Sequence, residues 1–197
     1  MGITSHSGVK QCMESALKTN WYDCLMPSYS IDKHKEFKDI FAKCKQQNVG
    51  FVAMKSGISE KNPNLVSALL KEKNLTTICK SLKNLNATKN YIDSSYQKIS
   101  ETEAEKIMKL SAIMSVGRCR MCGSCTGACG KGLPVSDIVR CMDYYINTEN
   151  DYETAKATYE SLEKRADLCV DCGNCEAICP NRVPIRNFMR VSREMFV

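Results

Sequence analysis

At 197 residues the chain has room for one domain or two small ones. It contains no apolar run near the roughly eighteen residues that read as a bilayer-spanning helix, and its start, MGITSHSGVK, lacks the apolar stretch of a signal peptide. The formal charge of +6 is uneven: residues 1–100 balance at +7 with 15 Lys and no Arg, while residues 101–197 hold all 8 Arg and balance at −1. This asymmetry predicts two modules with different surfaces, 1–100 and 101–197. The lysines of the first are scattered along helix exteriors instead of clustering with aromatics, which argues against a nucleic-acid interface. A cytoplasmic protein without a membrane partner is expected.

The first module alternates short apolar strands with amphipathic helices, the pattern of a parallel sheet. GITSH is the first candidate strand, and Val9, Cys12, Met13, Ala16 and Leu17 follow at helical spacing. DCLMP (Asp23–Pro27) is the second, before a helix with Phe37, Ile40, Phe41 and Cys44 on one face. GFVAMK (Gly50–Lys55) is a continuous apolar run, which predicts a strand buried on both sides. A short helix over Asn64–Lys73, the strand TTICKS (Thr76–Ser81) and a helix over Asn84–Lys98 complete four βα units.

The second module opens with a helix over Ser100–Val116, whose acids Glu101, Glu103 and Glu105 sit at its favourable N-terminal end. Then come two matched runs fifty residues apart, CRMCGSCTGACGKGLPVSDIVR from Cys119 and CVDCGNCEAICPNRVPIRNFMR from Cys169. Each places four cysteines as C-x2-C-x2-C-x3-C, and Gly123, Pro134 and Arg140 recur as Gly173, Pro184 and Arg190. Three thiolates at steps of three let a tight loop wrap an iron–sulfur cube, and in such runs the fourth ligates the other cluster. The spacing therefore predicts two [4Fe–4S] clusters. Cys119, Cys122, Cys125 and Cys179 would hold one, and Cys169, Cys172, Cys175 and Cys129 the other.

Structural zinc uses two C-x2-C pairs separated by a longer loop, and a disulfide framework requires an oxidising compartment. Between the runs, helices are predicted over Asp137–Ile146, burying Ile138, Val139, Met142, Tyr145 and Ile146, and over Tyr152–Lys164, capped by Asp151. A last helix starts at Pro184. Cys12, Cys24, Cys44, Cys79 and Cys141 read as small apolar residues, and His6 as a polar loop residue.

The runs GITSHS, YDCLMPSYSIDK, GFVAMKSG and TTICKSL resemble strands five to eight of an aldo/keto reductase barrel. The cysteine-rich tail resembles the cluster-binding extension of one branch of that family. The likeness implies an α/β half of a TIM (β/α)8 barrel, about four βα units. An all-α domain similar to the α-helical ferredoxin domain of fumarate reductase and heterodisulfide reductase subunits would follow. The family's catalytic Asp, Tyr, Lys and His lie on the first four strands, so no catalytic residue is assigned. After the eighth strand the family carries K-S-x4-R-x2-E-N, which grips the adenosine phosphate of NADP(H). Lys80, Ser81 and Asn90 match it, but Asn86 replaces the Arg and Lys89 the Glu. Lys55 and Lys80 follow the strands whose loops commonly hold phosphate. By the same likeness Tyr29 would stack on a nicotinamide, against the plainer reading of core packing or an exposed loop.

The resemblance implies an iron–sulfur redox protein, the electron-transfer part of an aldo/keto-reductase-like oxidoreductase. The alternatives are a stand-alone ferredoxin-like electron-transfer module and a truncated gene product. Open sheet edges are an aggregation hazard, so the expected partners are a redox protein, a separately encoded first half of the barrel, or a second copy of the chain.

Overall fold

A computed structural model describes residues 1–59, 62–82 and 84–196. It falls into two compact units, Met1–Ser115 and Val116–Val197. In the first, strand and helix alternate: β1 (Gly2–Ser5), α1 (Val9–Thr19), β2 (Cys24–Pro27), α2 (His34–Gln46), β3 (Gly50–Ala53), α3 (Leu65–Leu70), β4 (Thr77–Ile78) and α4 (Leu85–Tyr96). The strands are parallel and stand in the order β1-β2-β3-β4. The chain is thus mixed α/β, with helical connections doing what parallel strands require.

The amphipathic spacing acts as expected. Helix α2 buries Phe37, Ile40, Phe41 and Cys44, and α1 buries Met13, Ala16 and Leu17. Asn84 caps α4 by accepting the Ala87 N–H at 2.8 Å. Strand β4 is shorter than the TTICKS run, and beside it the Thr76 hydroxyl accepts the Phe51 N–H at 2.9 Å.

The GFVAMK run departs from expectation. Only Phe51 and Ala53 of β3 are buried, while Gly50 and Val52 are half-buried. Strand β2 repeats this, with Leu25 and Pro27 inside and Cys24 and Met26 half-buried. One sheet face packs into the core with the helices; the other is partly open.

Helix α5 (Glu101–Ser115) belongs to the first unit, one helix beyond the boundary placed at residue 100. Ser100 and Glu103 form a capping box: the Ser100 hydroxyl accepts the Glu103 N–H at 3.2 Å, and the Glu103 carboxylate accepts the Ser100 N–H at 2.8 Å. Asn62 fastens the helix by donating to the Ser111 hydroxyl at 2.6 Å.

Tyr29 is fully buried against Phe37, Phe41 and Phe51, which is core packing. Its hydroxyl lies 2.6 Å from His34 Nδ1, and His34 Nε2 lies 3.5 Å from Glu72 Oε2. Burial holds the phenol above its usual range, so it keeps its proton beside a neutral imidazole. Burial also depresses His34, outweighing the opposing pull of Glu72, with Lys38 adding to the depression. A histidine whose folded value lies below its unfolded value of about 6.5 costs stability as pH falls through that value, because the unfolded chain takes up the proton first. Urea unfolding from about pH 7.5 to about pH 5.5 is expected to show a falling midpoint, and His34→Gln a flatter dependence. Parallel dependences in the two proteins would refute the neutral-imidazole assignment.

In the second unit the helices are α6 (Ser124–Gly127), α7 (Val135–Val139), a π-helical segment Arg140–Glu149, α8 (Tyr152–Glu160), α9 (Asn174–Ala177) and α10 (Ile185–Met195). No strand occurs there among the described residues. Leu133, Ile138, Cys141, Tyr159, Val183, Ile185 and Met189 form its core. Asp151 caps α8 by accepting the Thr154 N–H at 3.0 Å. The single helix expected over Asp137–Ile146 is instead α7 running into π turns. Wider winding rotates the later side chains, so Ile138, Val139 and Met142 are buried but Tyr145 and Ile146 only half-buried. Among the described residues no helix is long and apolar enough to cross a membrane.

Candidate metal centre

The two cysteine runs adopt one conformation twice. Met121 and Asp171 have φ of 57° and 55°, and Gly123 and Gly173 have φ of 78° and 79°. The Met121 N–H points at Cys119 Sγ, and the Asp171 N–H at Cys169 Sγ, both at 3.4 Å. Thr126 accepts the Ser136 N–H at 3.0 Å, and Glu176, fifty residues on, accepts the Arg186 N–H at 2.9 Å. Pro134 and Pro184 precede α7 and α10 with matching dihedrals. A left-handed residue two positions before a left-handed glycine lets each loop curl around its own sulfurs. Among the described residues, no atom beyond Gly123 and its chain neighbours lies within 4 Å of where a Cβ on it would stand.

These loops line two cavities. Cys119, Cys122, Cys125 and Cys179 line the first, a space of about 330 Å³ including its open mouth, walled by Val139, Val183 and Ile185. Cys129, Cys169, Cys172 and Cys175 line the second, about 750 Å³ on the same measure, with Leu133, Val135 and Met189. Each cavity takes three cysteines from one run and the fourth from the other.

Cys125 lies within electrostatic range of Cys119, Cys122 and Cys179, and Cys175 within range of Cys169 and Cys129. Burial pushes Cys125 up to about 11, with Cys122 and Cys179 adding to the rise. Burial does the same to Cys119, also to about 11, with smaller contributions from Asp143, Cys125 and Cys122. Cys175 is raised by burial, then by Cys169 and Cys129. Without a cation these thiols hold their protons, so binding a positively charged core must release them. Among the described residues no three His, Cys, Asp or Glu side chains are grouped closely enough for a single metal ion. Four thiolates on one zinc would stand only about 3.8 Å apart, given Zn–S bonds of about 2.3 Å.

Charges that the cysteine pattern did not reveal distinguish the sites. Asp143 is buried, accepts the Cys119 N–H at 2.7 Å and pairs with Arg118 Nε at 3.0 Å. Burial raises its pKa against the pull of Arg118 and that N–H. At the second site Leu168 and Arg193 occupy the equivalent positions, and Asp171 instead accepts two 2.8 Å bonds from Arg186. Places where the repeats disagree in charge were the available signal.

The nucleotide candidates are less gathered. Lys55, half-buried with φ of 55°, and Lys80 follow the C-terminal ends of neighbouring strands β3 and β4. Ser81 is exposed beside Lys80, and Asn90 is exposed in the second turn of α4. His6, in the bend after β1, is half-buried, and its Nδ1 is buried with no hydrogen-bond partner among the described residues. Of the remaining cysteines, Cys44 and Cys141 are buried, Cys12 and Cys24 half-buried and Cys79 exposed.

No protein-family model matches the chain, and neither does any curated protein or solved structure.

Proposed function

We propose that the chain is an iron–sulfur redox protein with two [4Fe–4S] sites, one on Cys119, Cys122, Cys125 and Cys179 and one on Cys169, Cys172, Cys175 and Cys129. The observation that carries this reading is the pair of four-cysteine cavities, each completed by the other run's last cysteine. The donor set is sulfur-only and repeated, and each set of four lines one cavity. When bound, such clusters carry single electrons. The chain's own part is to supply thiolates, aim the Met121 and Asp171 N–H groups at sulfur and exclude water with apolar walls.

The parallel order β1-β2-β3-β4 with helical connections supports a half barrel in the first unit. On this reading it is the partial barrel of an aldo/keto-reductase-like oxidoreductase, completed by a separate chain or a second copy, with NADP(H) at the Lys55 and Lys80 end. A stand-alone ferredoxin-like electron carrier is the second reading, favoured by both four-cysteine cavities lying within the second unit. NADPH oxidation with carbonyl substrates, with and without an upstream gene product, separates the two.

Purification without oxygen is expected to give roughly eight iron and eight sulfide per chain. Electron paramagnetic resonance of the reduced protein should show two interacting spin-one-half centres. A colourless, zinc-loaded preparation would overturn the redox reading.

A further inference from the structure

The two cavities differ in how they meet solvent and charge. In the second run Cys172 is exposed, whereas its counterpart Cys122 is half-buried. The second cavity is the larger, and Lys131, Asp171 and Arg186 line it, while among the described residues Arg120 is the one charged residue lining the first. Arg190 and Arg193 lie close enough to Asp171 to act on its charge along with Arg186. Lys164 reaches the Lys131 carbonyl at 3.4 Å on the same loop. Asp171 pairs with the Arg186 guanidinium, and Glu176 accepts the Arg186 backbone N–H.

The repeat makes the divergence directional. Where the second copy has Arg186 and Arg193, the first has Ser136 and the buried Asp143. The only charge the first site gained at these positions is a carboxylate; the second gained two arginines.

We propose that the second site is the electron port of the protein, and that its basic rim docks an acidic, one-electron redox protein. This rests on the cluster reading above. The exchange moves one electron between the partner's redox centre and the second site, and no bond is made or broken. Opposite charges steer the encounter and orient the partner over the exposed Cys172, so binding should weaken steeply with salt.

The test uses the full-length, cluster-loaded protein and an acidic plant-type ferredoxin as probe, with binding followed by calorimetry. The expected result is saturable binding that falls about tenfold or more on raising salt from low to near-physiological strength. Charge reversal by Arg190→Glu with Arg193→Glu should weaken it at least about tenfold at unchanged iron content, and neutralisation to Gln at both positions by less. Lys35→Glu with Lys38→Glu, on the exposed side of α2, should leave binding unaltered. No binding by the loaded protein, indifference to both the Arg→Glu and Arg→Gln pairs, or equal loss from the Lys pair would overturn the proposal. A wild-type protein without iron would instead overturn the cluster reading, so the two failures are distinct.

Discussion

Replacing Cys179 by alanine is expected to empty the site built on the other run. Cys179 lies in the second run but lines the cavity of Cys119, Cys122 and Cys125. If each cavity holds one four-iron cluster, the variant loses about four of eight irons and its reduced spectrum becomes that of one isolated centre. Double variants decide which cysteines act together. Cys119→Ala added to Cys179→Ala removes nothing further, because both act on a site already lost. Cys169→Ala added to Cys179→Ala strips both sites. Pairing within a run predicts the reverse pattern. Such non-additivity marks residues acting as one unit, and iron analysis with sulfide content reads it directly.

Phe51→Ala should produce the largest stability loss in the first unit. Phe51 is fully buried on β3, edge-on to Phe41 at 4.7 Å between ring centres and near Phe37 at 6.0 Å and Tyr29 at 6.3 Å. Truncating a buried phenylalanine costs about 3–5 kcal/mol, from lost transfer energy and the cavity left behind. A domain commonly has about 5–15 kcal/mol in total, so this is a large share. With a urea dependence of about 1–3 kcal/mol per molar, the midpoint should move down by more than about 1 M. The sole tryptophan, Trp21, lies in this unit and offers a fluorescence signal. Phe51→Leu, which keeps most of the volume, should cost well under half as much. A loss below about 1 kcal/mol for the alanine variant would mean that the aromatic cluster does not hold the sheet to α2.

Local patterns were legible wherever one periodicity ruled. The 3-and-4 spacing of Phe37, Ile40, Phe41 and Cys44 names the buried face of α2 because a helix brings those positions together on any scaffold. The expected strands after Met1, Tyr22, Val49 and Leu75 each contain an observed one. The run Gly50–Lys55 shows the limit. Its composition calls for two covered faces, yet coverage depends on what packs against the sheet, which no stretch of six residues encodes. The π turns after Val139 were equally invisible, since the second copy carries a similar apolar pattern and winds as an ordinary helix. The same holds for Asp143, whose meeting with Cys119 and Arg118 depends on that winding.

From the amino-acid order alone came the parallel βα alternation and the doubled cysteine run. Both follow from spacing, which constrains the chain before any long-range contact forms. Only the tertiary structure decided which sheet face is half-buried, that α5 belongs with the first unit, and that the two cavities differ in size, exposure and charge. Those properties depend on residues distant in sequence arriving together, Arg118 with Asp143 and Lys131 with Lys164, and spacing carries no information about such meetings.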